Sequence, residues 1–324
     1  MNILLAGDFS LEDHDAWLQV LRQRLPHDQW HVLGSGFDPD SIEAAVVANP
    51  APGILAACTK LQLIQSLWAG VDKLLRDPTL PATVPLARMV DPTMTRAMAE
   101  TAAWAVLSLH RGFFRYARQQ ALGDWQQRPQ RRAGQVSVLV LGHGEMGRAV
   151  AQQLAGLGYR VSAWRHGSGA SAPSAPADAV HGQEAEVALL HGDAALGPAL
   201  GQTEIVVNLL PLTTKTRGLI NAAFLAALPQ GAALVNLARG AHVVQADLLS
   251  ALEKGHLAHA VLDVFDVEPL PAGDPFWSRA DVTVLPHVAA LTDRQTAADV
   301  VVRNIQALRD GAPLVHLVNR SRGY

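Results

Sequence analysis

Val136-Ser-Val-Leu-Val-Leu141 is a mainly apolar, β-branched run that passes straight into Gly142-His-Gly-Glu-Met-Gly147, and then into the helical pattern Arg148-Ala-Val-Ala-Gln-Gln-Leu154. A strand, a tight glycine turn and a helix in that order constrain the fold more than any other stretch. Each glycine has its own task. Gly142 allows the turn, Gly144 lets the backbone approach a pyrophosphate, and Gly147 lets the helix lie close to the strand. The helix N-terminus then offers unpaired N–H groups to the phosphates. The glycine spacing alone recurs in ordinary turns, but the flanking strand and helix direct it to a dinucleotide.

At 324 residues the chain is long enough for two domains of about 150 residues each. Hydrophobic residues make up 49% and charged residues 17%, a balance that builds a core and excludes a disordered chain. A net charge of −3 and a pI near 6.5 argue against a nucleic-acid or anionic-membrane partner. Cys58 is the single cysteine, so there is no internal disulfide and no cysteine-based metal site, which fits a reducing compartment. The start, Met1-Asn-Ile-Leu-Leu-Ala-Gly-Asp8, lacks a basic region and reads as a buried strand, not a secretory signal. No apolar run reaches the ~18 residues of a membrane span. A cytoplasmic protein is expected.

Apolar runs at 3–6, 31–33, 53–57 and 63–68 read as strands, with helices at 13–24 and 40–48 between them. Such alternation predicts a small parallel sheet with covering helices. Residues 93–122 read as one long helix with Met94, Met98, Ala102, Trp104, Val106, Leu107 and Leu109 on more than one stripe. A helix apolar on two sides is buried on two sides, as a core helix alone or also against a second subunit. From 135 the alternation restarts, with strands expected at 137–141, 160–164, 204–209, 232–237, 259–265 and 282–285 and helices including 221–228 and 244–254. Asn221 fits an N-cap, and Gly231 and Gly255 stand where helices stop. Six such strands form a doubly wound sheet. Residues 167–179, rich in Gly, Ser, Ala and Pro, read as a surface loop. A last helix is expected from Thr292, with Gln295 as its capping-box partner, to about 308. Its return to the first domain would make that domain discontinuous.

In open α/β sheets ligands sit beyond the carboxyl ends of strands, and three polar residues stand there. Arg239 follows Ala233-Leu-Val-Asn-Leu-Ala238, Glu268 lies in Leu262-Asp-Val-Phe-Asp-Val-Glu-Pro-Leu270, and His287 follows Val282-Thr-Val-Leu-Pro286. Singly they are an ordinary capping arginine, an acid before a proline turn and a structural histidine. Together, after three successive strands, they suit hydride transfer to a carbonyl that neighbours a carboxylate. Arginine grips a carboxylate with two parallel hydrogen bonds, and histidine exchanges a proton near neutral pH. The glutamate orients the ring and favours its charged form.

These residues resemble the D-isomer-specific 2-hydroxyacid dehydrogenase family, and within it the bacterial branch acting on glyoxylate and hydroxypyruvate. The resemblance rests on Leu67-Trp-Ala-Gly-Val-Asp72, the glycine turn, Leu209-Leu-Pro211 with Thr213 and Thr216, and Val235-Asn-Leu-Ala-Arg-Gly240. It extends through Leu262-Asp-Val-Phe-Asp-Val-Glu-Pro-Leu-Pro271, Pro286-His-Val-Ala-Ala-Leu-Thr292 and the tail Arg320-Ser-Arg-Gly-Tyr324, and so covers essentially the whole chain. It implies an α/β protein of two Rossmann-like or flavodoxin-like doubly wound parallel-sheet domains with an active-site cleft between them. The expected domains are a substrate-binding one at 1–100 plus 290–324 and a dinucleotide-binding one at 101–289. The expected assembly is a homodimer.

By the same resemblance Arg239 binds the 2-oxo acid, Glu268 tunes the histidine, and His287 protonates the carbonyl oxygen during reduction. Trp68 and the backbone of Ala69, Gly70 and Val71 would bind substrate. The cofactor would be held by Gly142, Gly144, Glu145, Met146 and Gly147, by Arg165, His166 and Ser168, and by Leu210, Pro211, Thr216, Ala238, Asp263 and His287. Two places keep a plainer alternative: 69–71 also reads as a turn before a helix, and Trp68 as a core aromatic.

An NAD site carries an acid at the end of its second strand, for the ribose 2′-OH. Here that strand ends Ser162-Ala-Trp-Arg-His-Gly-Ser168, with no acid until Asp178. Arg165 and His166 offer donors to a 2′-phosphate, so NADP(H) is expected over NAD(H), which stays possible if Arg165 is merely solvated. The expected reaction is NADPH-dependent reduction of glyoxylate to glycolate and of hydroxypyruvate to D-glycerate. Two rivals are reduction of larger 2-oxo acids such as phenylpyruvate and a nucleotide-sensing, corepressor-like binding role.

Overall fold

The structure, a computed structural model, describes residues 1–167 and 186–324. The chain divides into two compact units, Met1–Met94 with Leu291–Tyr324, and Thr95–Ala290.

In the first unit β1 (Asn2–Gly7) leads through α1 (Leu11–Arg24) to β2 (Gln29–Val32), then β3 (Ala44–Ala48), β4 (Leu63–Ser66), α2 (Asp72–Leu75) and β5 (Leu86–Ala87). The strands form one parallel sheet in the order β2-β1-β3-β4-β5. Two expectations fail here. Residues 40–48 are not a helix: Pro39–Ser41 makes a single 3-10 turn, and β3 then crosses the sheet fully buried. A strand covered on both faces shows no alternation, so its Ala-Ala-Val-Val-Ala carries no period that separates it from a helix. Residues 53–57 are not a strand but a turn ending in the 3-10 helix Leu55–Ala57.

The expected long helix is two. α3 (Pro92–Arg111) stops before Gly112, which takes a left-handed φ of 73°, and α4 (Phe113–Leu122) begins after it. In the second unit β6 (Ser137–Leu141), α5 (Glu145–Gly156), β7 (Arg160–Arg165), β8 (Val187–His191), α6 (Asp193–Leu200) and β9 (Ile205–Asn208) come first. They are followed by α7 (Ala222–Ala226), β10 (Ala232–Asn236), α8 (Gln245–Glu253), β11 (Leu257–Leu262) and β12 (Val282–Val284). The sheet is parallel in the order β12-β11-β10-β9-β6-β7-β8, one strand more than expected because β8 follows directly on the low-complexity stretch. Most of that stretch lies outside the described residues. One apolar cluster, built on Val138, Val140, Val150 and Leu154 with Ala102 and Val106 of α3, covers one face of this sheet. A second, built on Leu139, Leu141, Leu234, Leu248 and Leu262, covers the other.

Asn221 caps α7 by accepting from the Ala223 and Phe224 N–H groups. α9 (Arg294–Asp310) belongs to the first unit. Its cap is Asp293, not Thr292: the Asp293 carboxylate accepts from the Gln295 and Thr296 N–H groups. Among the described residues no helix is long and apolar enough to cross a membrane.

Candidate functional site

The three fingerprint glycines do three separate things. Gly142 has φ of 102°, and a Cβ there would stand 2.8 Å from the Leu209 carbonyl oxygen. A Cβ on Gly147 would collide with the Gly142 carbonyl, so only glycine lets α5 sit this close to β6. At Gly144, the N-cap of α5, a Cβ would meet nothing within 4 Å. That open face before twelve residues of helix fits a pyrophosphate. Glu145 is held by Arg148 at 2.9 Å, and Met146 packs on the core.

β7 ends at Arg165, and the next residue, His166, pairs its Nδ1 with Asp193 at 2.6 Å. Among the described residues its other nitrogen meets no partner. Ser168 lies outside the described residues.

β9 and β10 end in a buried polar network that sequence reasoning missed. The Asn208 amide donates to Asn236 Oδ1 at 2.9 Å and to His242 Nδ1 at 3.0 Å. With Nδ1 accepting, His242 donates from Nε2 to the Pro211 carbonyl at 3.3 Å. The Asn236 amide donates to the Arg239 carbonyl, and Asn236 Oδ1 accepts from the Ala238 N–H. Asn208, Asn236 and His242 are fully buried, so the network shapes both loops from beneath. Leu210 is buried in the first of them, and Thr216 uses its hydroxyl inside that loop, on the Pro211 carbonyl at 2.7 Å. An asparagine at the end of each of two neighbouring strands was the signal available.

Arg239 is half-buried, with Nη1 on the Ala238 carbonyl. Gly240 beside it leaves no room for a Cβ against the Phe265–Asp266 backbone, and that close approach brings the arginine to the following loop. There His287 Nδ1 donates to Glu268 Oε2 at 2.7 Å, while Glu268 Oε1 accepts from the Phe265 N–H at 2.8 Å. This bond fixes Nδ1–H toward the carboxylate and leaves Nε2 outward. His287 itself has a left-handed φ of 56°, uncommon for a side-chain-bearing residue. Its N–H donates to the Asp263 carbonyl at 2.9 Å, and the buried Asp263 carboxylate accepts from the Val288 and Ala289 N–H groups.

The charges agree with this geometry. The hydrogen bond to Glu268 raises the pKa of His287 above the ordinary histidine value, against burial and the nearby Arg239 cation. Burial works to raise Glu268, but its bonds from His287 and Phe265 and the charges of His287 and Arg239 hold it below the usual range. Arg239 acts on both partners, so the structure brings all three together. Burial lifts Asp263. A cation, and an imidazole whose charged form its carboxylate partner favours, at the ends of neighbouring strands can bind an anion and hand a proton to an adjacent oxygen.

In the first unit the Trp68 N–H donates to Ser66 Oγ, and the same hydroxyl donates to the Trp68 carbonyl, both at 3.0 Å. Among the described residues the N–H groups of Ala69, Gly70 and Val71 meet no acceptor. Three consecutive unpaired N–H groups are a ready anion-binding backbone. Trp68 is half-buried beside them.

Residues 103–289 match the model of the D-isomer specific 2-hydroxyacid dehydrogenase, NAD binding domain. A Serratia proteamaculans relative named glyoxylate/hydroxypyruvate reductase A is 38% identical over 100% of both chains. A Xanthobacter autotrophicus structure, a D-isomer specific 2-hydroxyacid dehydrogenase in complex with NADPH and MES, is similar at TM-score 0.89 and 37% identity, over 100% of this chain and 99% of that one. A Sinorhizobium meliloti NADPH-dependent glyoxylate/hydroxypyruvate reductase, in complex with NADP and sulfate, is similar at TM-score 0.88 and 32% identity, again over 100% and 99%.

Proposed function

The chain belongs to the D-isomer-specific 2-hydroxyacid dehydrogenase family, and we propose that within it this protein reduces glyoxylate to glycolate and hydroxypyruvate to D-glycerate with NADPH. The observation that carries the reading is the His287–Glu268 pair with Arg239 beside it. When bound, the reduced nicotinamide supplies the hydride that the substrate's carbonyl carbon accepts. His287 Nε2 gives its proton to the carbonyl oxygen, and Glu268 keeps that ring charged and turned. The Arg239 guanidinium binds the 2-oxo acid. The Ala69, Gly70 and Val71 N–H groups hold a carboxylate. The glycine turn and the α5 N-terminus hold the pyrophosphate, with Leu210, Pro211, Ala238 and Asp263 as further cofactor contacts. Arg165, with His166, reads the 2′-phosphate. Relatives bound to NADPH and NADP support that choice.

Initial rates with glyoxylate, hydroxypyruvate and phenylpyruvate, each with NADPH and NADH, test the whole reading. The two small acids with NADPH should give the highest kcat/KM. Preference for phenylpyruvate would move the substrate class, and preference for NADH would overturn the phosphate reading.

We also infer a cytoplasmic homodimer with no nucleic-acid partner. Trp104 is 42% and Phe113 51% exposed, and with Leu107, Phe114 and Leu157 they line a groove of about 600 Å³. α3 already buries Met98, Ala102, Ala105 and Val106 in the core of its unit. The groove lining carries one charge, Glu100, so it suits an equally apolar surface, and a second copy supplies one by two-fold symmetry. Trp104→Asp combined with Phe113→Asp should halve the mass measured by light scattering. A monomeric wild type at micromolar concentration would refute the dimer.

A further inference from the structure

Titratable nitrogens gather around Arg165 at the carboxyl ends of β6, β7 and β8. Arg165 and His191 are register partners at the ends of adjacent parallel strands, so their side chains leave the same face of the sheet. The residue after His191 is pinned to β7 twice. The Gly192 N–H donates to the Arg165 carbonyl at 3.1 Å, and Trp164 Nε1 donates to the Gly192 carbonyl at 2.8 Å. His191 is therefore held beside Arg165 although it is exposed.

His143, the second residue of the glycine turn, completes the group. Burial first, and then the charges of Arg148, Arg165 and His191, keep its imidazole below the ordinary histidine value. Among the described residues, Glu145 of α5 is engaged with Arg148, and Asp193 of α6 with His166. Among the described residues neither the His143 nor the His191 ring has a hydrogen-bond partner. Arg165, His143 and His191 thus bring nitrogen-bearing side chains from the ends of three neighbouring strands to one place, a setting that suits a phosphate.

We propose that His191 is a further 2′-phosphate-reading residue beside Arg165 and His166, so that selectivity for NADPH over NADH grows as the pH falls. The proposal rests on the NADPH reading above and adds to it a specificity residue on a different strand. An imidazole that meets a phosphate dianion is driven toward its charged form. Binding therefore takes up a proton, and by linkage the affinity rises as pH falls. NADH, which has no 2′-phosphate, gains nothing. The second ionisation of a phosphate monoester lies near pH 6, so above about pH 7 the ligand stays nearly dianionic and the protein's own titration is what is seen.

The test is calorimetric binding of NADPH and NADH to the whole protein between about pH 7 and 8.5, for the wild type, His191→Gln, His166→Gln and Arg165→Ala. In the wild type the ratio of NADH to NADPH dissociation constants should fall on the order of threefold or more across that range. NADPH binding measured in two buffers of different ionisation enthalpy should show proton uptake. His191→Gln should flatten the dependence, weaken NADPH at the lower pH by a similar factor and leave NADH unchanged. His166→Gln should keep most of the wild-type slope. A selectivity that Arg165→Ala abolishes but that is flat with pH in the wild type, or sloped equally in His191→Gln, would overturn the role of His191 alone. Equal binding of both cofactors at every pH would overturn this role and the NADPH reading together.

Discussion

A group that is to protonate a carbonyl oxygen must itself hold a proton, and Glu268 favours the charged form of His287. The hydrogen bond that the ring donates to that carboxylate raises the imidazole pKa, while burial and Arg239 pull it down. If His287 is the proton donor proposed above, kcat/KM for hydroxypyruvate should be full below the raised pKa and decline as pH rises through it. Glu268→Gln keeps an acceptor but removes the charge, leaving the two opposing effects. Its decline should therefore move to lower pH, and a superimposable profile would break the pairing. Arg239→Lys should lose roughly as much kcat/KM as Arg239→Ala, because a point charge does not replace a planar two-pronged donor. Near-normal efficiency in the lysine variant would refute a bidentate role. Arg239, Glu268 and His287 could be picked out by residue type because each follows a strand in a nucleotide-binding sheet. The bonds that set them were not legible: Phe265 N–H to Glu268, or His287 N–H to the Asp263 carbonyl, use backbone groups that every residue carries.

At the scale of elements, the ends of β9 and β10 are tied by side chains whose place shows only in three dimensions. Asn208 and His242 lie 34 positions apart, yet they share one buried hydrogen bond. His242→Ala would leave the Asn208 amide and the Pro211 carbonyl each without that partner. Buried polar groups stripped of a partner cost about 1–3 kcal/mol each. Urea unfolding should show a loss of that order, with a higher KM for NADPH as the Pro211 loop loosens. Full stability in His242→Ala would mean water or a neighbour replaces the ring. The same scale explains what was misread. β3 is an apolar run buried on both faces, so length and composition alone had to decide between strand and helix. Gly112 was visible as a possible breaker, but only its left-handed backbone shows that α3 ends there.

At the scale of the whole molecule, the chain leaves its first unit at residue 94 and returns to it at residue 291. The return is locked by the buried Asn304 amide donating to Gln65 Oε1 at 2.6 Å, across 239 positions of sequence. Pairing at that range has no local pattern, although the capping signal before α9 marked where the last helix begins to within two residues. Global stability should carry the mark of one further residue, His259 on β11. Its ring stacks on Phe114 with centroids 4.6 Å apart and planes 2° from parallel, and its Nε2 bonds Thr283 Oγ1 at 2.9 Å. Burial, and then the Arg118 charge, push its pKa down to about 4, while Asp281 works weakly the other way. The sign follows from linkage. As pH falls below the unfolded value near 6.5, the unfolded chain takes up a proton that the folded ring refuses, so stability is lost between about 6.5 and 4. The difference between those two values corresponds to about 3 kcal/mol for this residue. His259→Gln keeps a donor for Thr283 and cannot titrate, so its unfolding free energy should fall less steeply than that of the wild type over this window. Above about pH 7 the two curves should run parallel. Urea unfolding at a series of pH values reads the difference directly, and curves that stay parallel down to pH 4 would show that the ring is protonated without cost in the folded protein.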